Sequence, residues 1–114
     1  MVEVFFLKPK SKADPNAKQD DGWTALIWAA LNGHKAVVAQ LLQAKAEIEA
    51  KTSYGWTALH CAAYDGDEGV VEVLLQANAD TKAANNNGDT PLQIAKRIGR
   101  TAVAEMLQQA QAVQ

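Results

Sequence analysis

Three glycines stand 33 residues apart, at Gly22, Gly55 and Gly88, and each opens a segment of the same kind. The segments read Gly22-Trp23-Thr24-Ala25-Leu26, Gly55-Trp56-Thr57-Ala58-Leu59 and Gly88-Asp89-Thr90-Pro91-Leu92. The register continues through Ala29, Ala62 and Ala95, then Gly33, Gly66 and Gly99, then Leu41, Leu74 and Leu107. A fixed period of this length is the mark of a stacked array. One unit this small cannot bury its own apolar face, whereas neighbours in a stack bury a continuous core.

Each unit reads as a turn followed by two helices. Polar clusters such as Asp20-Asp21-Gly22 and Asn85-Asn86-Asn87-Gly88 are turn signals, because Gly and Asn tolerate positive φ. A Thr follows, able to accept from free amides at a helix start. Pro91 comes next, where its missing N–H costs nothing. First helices are expected over 25–31, 58–64 and 91–98, ended by Gly33, Gly66 and Gly99. Second helices are expected over 35–43, 68–76 and 101–110, with Val37, Val38, Leu41 and Leu42 at helical spacing. The fold class is therefore all-α, a solenoid of stacked turn–helix–helix units.

The segment Gly55-Trp56-Thr57-Ala58-Leu59-His60-Cys61-Ala62-Ala63, with Gly66, Val70-Val71-Glu72-Val73-Leu74-Leu75 and Ala79-Asp80, resembles the ankyrin-repeat family over nearly the whole chain. The resemblance divides the chain into a partial repeat over 1–18, repeats over 19–51 and 52–84, and a final repeat over 85–114. Departures are local. The family's Pro is Ala25 and Ala58 in the first two full units, and its bracing His is Ile27, His60 and Gln93, so only His60 can fill that role. Lys45 and Asn78 replace a glycine expected to be left-handed, which suits Asn and costs Lys about 1 kcal/mol.

Val2-Glu3-Val4-Phe5-Phe6 aligns with Val71–Leu75, so the chain reads as starting inside a repeat at its second helix, with Leu7 to Lys12 then carrying a three-residue insertion that contains Pro9. The expected consequences are a fragment of a longer array, or an apolar Phe5/Phe6 end that docks a partner or self-associates with a second copy. At the other end Lys96, Arg97, Gln108, Gln109, Gln111 and Gln114 supply the polar outer face of a terminal cap.

Catalysis finds no constellation. His34 and His60 are the only histidines, and His60 and Cys61 point about 100° apart if helical, a poor nucleophile–base pair. Cys61, the only cysteine, falls at a core position, so no disulfide framework exists and an intracellular, cytoplasmic or nuclear, setting is expected. The Asp and Asn clusters lack the alternating spacing of a calcium loop. No metal, cofactor or enzymatic activity is expected. A net charge of −2 gives no footprint for nucleic acid, and no apolar run approaches a membrane span.

The resemblance implies instead a protein-binding module. Its contact positions are the two before the turn glycine, the one after it, and the end of the first helix. Here they are Asp20, Asp21, Trp23, Leu31 and Asn32 in the first full unit. In the second they are Ser53, Tyr54, Trp56, Tyr64 and Asp65, and in the third Asn86, Asn87, Asp89, Arg97 and Ile98. Trp23 and Trp56 fall on successive rungs, whereas Trp28 aligns with Cys61 and Ile94 and is assigned to the core. An aromatic face with Asp20, Asp21, Asp65 and Asp89 against Arg97 suits a basic and apolar segment of another protein. The alternative is a structural segment of a larger protein whose activity lies elsewhere.

Overall fold

The computed structural model describes residues 15–19 and 21–113. The expected half-repeat helix at Val2–Phe6, the insertion after it and the Phe5/Phe6 end lie outside the described residues. Among the described residues six helices follow one another: α1 Ala25–Leu31, α2 Lys35–Gln43, α3 Ala58–Asp65, α4 Glu68–Gln76, α5 Pro91–Arg97 and α6 Thr101–Val113. The described residues contain no strand. The first helices α1, α3 and α5 form one layer and the second helices α2, α4 and α6 another, each helix packing on its counterpart in the next unit.

Local chemistry starts and stops each first helix. Thr24, Thr57 and Thr90 are N-caps in extended backbone, with hydroxyls accepting from the amides of Ile27, His60 and Gln93. In α3 and α5 the side chains of His60 and Gln93 reach back to the cap amide, completing a capping box. Asp67 caps α4, accepting from the Val70 amide at 3.1 Å. The last helix runs to Val113, one turn beyond the expected 101–110, since Ala110, Gln111 and Ala112 are compatible with helix and no glycine intervenes.

The core follows the two layers. Ala25, Ala29, Ala58, Ala62 and Ala95 are fully buried, and such small side chains let the first helices approach closely. Leu26, Leu59, Val38, Val71, Leu74 and Leu107 fill the space between layers. On the far edge two loop braces recur one unit apart. Asn16 Oδ1 accepts from the Glu47 amide at 2.6 Å, and Glu49 Oε2 accepts from the Asp80 amide at 2.7 Å. Lys45 and Asn78 both adopt positive φ, 72° and 67°, as their place after a helix requires.

The sequence register misplaces one residue. Trp28 is half-buried and outside the core, whereas its equivalents Cys61 and Ile94 are 0% and 4% exposed. Ile94 stays buried although among the described residues no first helix follows α5, so this position faces the preceding unit. Among the described residues no first helix precedes α1, and the Trp28 ring settles against Trp23 instead. The mirror effect appears at Leu92, which faces onward and is half-buried where Leu26 and Leu59 are fully buried.

Candidate functional site

The turn tips form one edge of the molecule. Each closes in the same way: the first amide donates to the carbonyl four residues on, as from Thr52 to Trp56 and from Asn85 to Asp89, both at 2.9 Å. The tips are also joined to one another. The Ser53 amide donates to the Asp21 carbonyl at 2.8 Å, and the Asn86 amide to the Tyr54 carbonyl at 3.0 Å. Asn86 Nδ2 adds a bond to the Ser53 carbonyl. Successive tips therefore stand side by side in fixed register.

Two tips are braced from inside. Thr52 Oγ1 accepts from the amides of Tyr54 and Trp56, and Asn85 Oδ1 from those of Asn87 and Asp89. These buried braces are absent from the sequence-derived site, although polar Thr52 and Asn85 in one register position were the available signal. The equivalent Gln19 is exposed, and in that tip the Asp21 carboxylate accepts from the Trp23 amide at 3.3 Å.

The residue after each turn glycine reaches toward the first helix of its own unit. Trp56 meets Tyr64 edge-to-face, with centroids 6.0 Å apart at 74°, and lies 5.7 Å from the His60 ring. At the same two positions of the third unit, Arg97 grips Asp89 through two bonds of 2.8 and 2.9 Å. Arg97 holds the Asp89 carboxyl below its ordinary value, chiefly through these hydrogen bonds. In the first unit Trp23 turns to Trp28, 4.8 Å away, while Leu31 packs on the core. The ring contacts of Trp23 and Trp56 thus run within their units, and the two tryptophans form successive rungs without a described ring contact between them.

Exposure separates anchors from free surface. Trp23 and Trp56 are half-buried and packed on the core, whereas Tyr54 is 73% and Tyr64 50% exposed. Asp21, Asn32, Ser53, Asn86 and Asn87 are exposed polar groups along the edge, Asp65 is half-buried and Ile98 is exposed. Asn32 Nδ2 donates to the Trp28 carbonyl at 2.8 Å, so it also finishes α1. Asp20 lies outside the described residues.

A family model described as ankyrin repeats, in three copies, matches residues 1–85 and again 55–113. The chain belongs to the ankyrin-repeat family. No curated protein matches it. Ankyrin repeats are generally protein–protein interaction modules and are typically non-enzymatic. The ankyrin brace is present at His60. The Thr57 amide donates to Nδ1 at 3.1 Å, so Nδ1 is bare and the proton sits on Nε2. Nε2–H then donates to the Asp89 carbonyl at 2.9 Å, across to the next tip. Among the described residues no group of three His, Cys, Asp or Glu side chains is placed to hold a metal ion, and no helix is long and apolar enough to cross a membrane.

Proposed function

We propose that this ankyrin array binds a basic and apolar segment of a partner protein along the edge formed by its turn tips and first helices. The observation that carries the reading is the second rung, where Trp56 and Tyr64 meet edge-to-face beside exposed Tyr54 and half-buried Asp65. Aromatic side chains of this kind bury large area with few rotors and dominate binding hot spots. Aspartates at 21 and 65 favour a cationic partner and speed its encounter. The protein acts by binding alone, in an intracellular setting that suits a lone, buried, unpaired cysteine.

The double change Trp23→Ala, Trp56→Ala tests the strip, but both rings also pack on the core. Tyr54→Ala with Tyr64→Ala is the cleaner test, because both side chains are exposed. Selection of a random peptide library on the wild type is expected to enrich Arg or Lys beside aliphatic residues. The tyrosine double variant should lose that enrichment while keeping its helical circular dichroism. Enrichment of acidic peptides, or the same peptides on both proteins, would overturn the proposal.

A further inference from the structure

The binding edge is not uniform in charge. Its first two units carry Asp21 and Asp65, and their tip-base cation Lys51 is directed to the Ala84 carbonyl at 3.3 Å. The third unit reverses the sign. Asp89 and Arg97 neutralise each other as a pair, and exposed Lys96 and Arg100 leave the end of α5 with a net positive charge. Arg97 remains 62% exposed, and Arg100, also exposed, donates Nε–H to the Tyr64 carbonyl at 3.0 Å. The edge thus passes from acidic to basic over the length of one repeat.

The Arg97 guanidinium is also prepared for a ligand. A guanidinium has five N–H donors in a planar fork, and Asp89 uses two of them. The bidentate grip fixes the plane, and with the side chain 62% exposed the remaining donors need less ordering to meet a ligand. One rung earlier, the exposed Tyr64 ring beside half-buried Trp56 offers aromatic surface, the environment that attracts a cation.

Resting on the partner-binding reading above, we infer that the edge reads the polarity of a bound segment: a basic side chain sits at the Trp56–Tyr64 corner and an acidic side chain of the same segment sits at Arg97. The occupant is an extended peptide with a basic–apolar block at one end and an acidic block at the other. Arg97 is then a specificity-determining residue, and Asp89 is its positioning partner. A purely basic segment would fill the corner and meet like charge at the third unit.

The test uses two synthetic peptides of equal length, titrated by fluorescence polarisation. One has a basic–apolar block followed by glutamates, and the other has those glutamates replaced by glutamines. The wild type should bind the first about tenfold more tightly, the scale of one charge-assisted contact. Arg97→Gln should remove that preference and leave the glutamine peptide bound as before or more tightly, because Asp89 is released. Tyr64→Ala should weaken both peptides. Equal binding of the two peptides by the wild type, or equal weakening of both by Arg97→Gln, overturns the polarity claim while leaving the binding edge standing. If neither peptide binds, or Tyr64→Ala affects neither, the edge itself is refuted.

Discussion

His60 Nε2–H donates to the main-chain carbonyl of Asp89, 2.9 Å away in the next turn tip, while its Nδ1 receives the Thr57 amide. The Thr57 bond needs the neutral ring, because a proton on Nδ1 would face an N–H donor, whereas the Nε2–H bond to Asp89 persists in either state. Burial pushes the His60 pKa below its ordinary 6.5, with the Asp89 carbonyl and carboxylate opposing and Lys51 adding to the shift. Between the lowered folded value and 6.5 the unfolded chain binds more protons than the folded one, so stability falls as pH drops through this window. It is fully present above 6.5. Urea denaturation across that range should show the loss in the wild type and a flatter profile in His60→Gln. Glu49, raised above 4.5 chiefly by burial, contributes with the opposite sign, favouring the fold as pH falls toward 4.5.

Gly55 and Gly88 share one backbone conformation, φ 84° and 83°, and differ in what lies beside them. A Cβ on Gly55 would sit 2.8 Å from the Asn86 amide nitrogen, while one on Gly88 would meet nothing within 4 Å. Gly88→Ala should therefore cost only the left-handed strain, about 1 kcal/mol. Gly55→Ala should cost clearly more, because backbone rather than a flexible side chain must move. Equal shifts in the denaturation midpoint would contradict the fixed tip-to-tip register.

Lys45 holds φ 72° where Asn78 holds 67° in the next unit. Lys45→Gly relieves the strain, partly offset by the added freedom of the unfolded chain. A gain of about 0.5 kcal/mol is expected in thermal denaturation, and a loss would show that the lysine side chain contributes more than its backbone costs.

Cys61 is 0% exposed and burial pushes its thiol up to about 12. Only thiolate reacts with disulfide reagents, so the native protein near neutral pH should be labelled slowly and the denatured protein at once. Rapid labelling of the native state would mean that α3 opens readily.

The period made the helices legible because every unit repeats the same caps and stops. Thr24, Thr57 and Thr90 each cap a helix, as their spacing implied. Legibility failed where the repeats are not equivalent. Trp28 shares a register position with Cys61, yet burial at that position is supplied by the preceding unit rather than by the residue itself. The pairing of Asp89 with Arg97, eight residues apart, was also hidden. Asp89 precedes its helix, so helical periodicity does not relate the two, and only the turn geometry brings them together. The same holds for Trp56 and Tyr64.

The bonds between tips have a consequence for how such a chain can change over generations. Ser53 to Asp21 and Asn86 to Tyr54 are one bond drawn twice, each joining a unit to its immediate neighbour. Inserting another copy of the middle unit would present the same donor and acceptor at both new junctions. Length can therefore vary by whole units while keeping these main-chain bonds, whereas a change of a few residues within a unit would move a donor away from its acceptor at that junction.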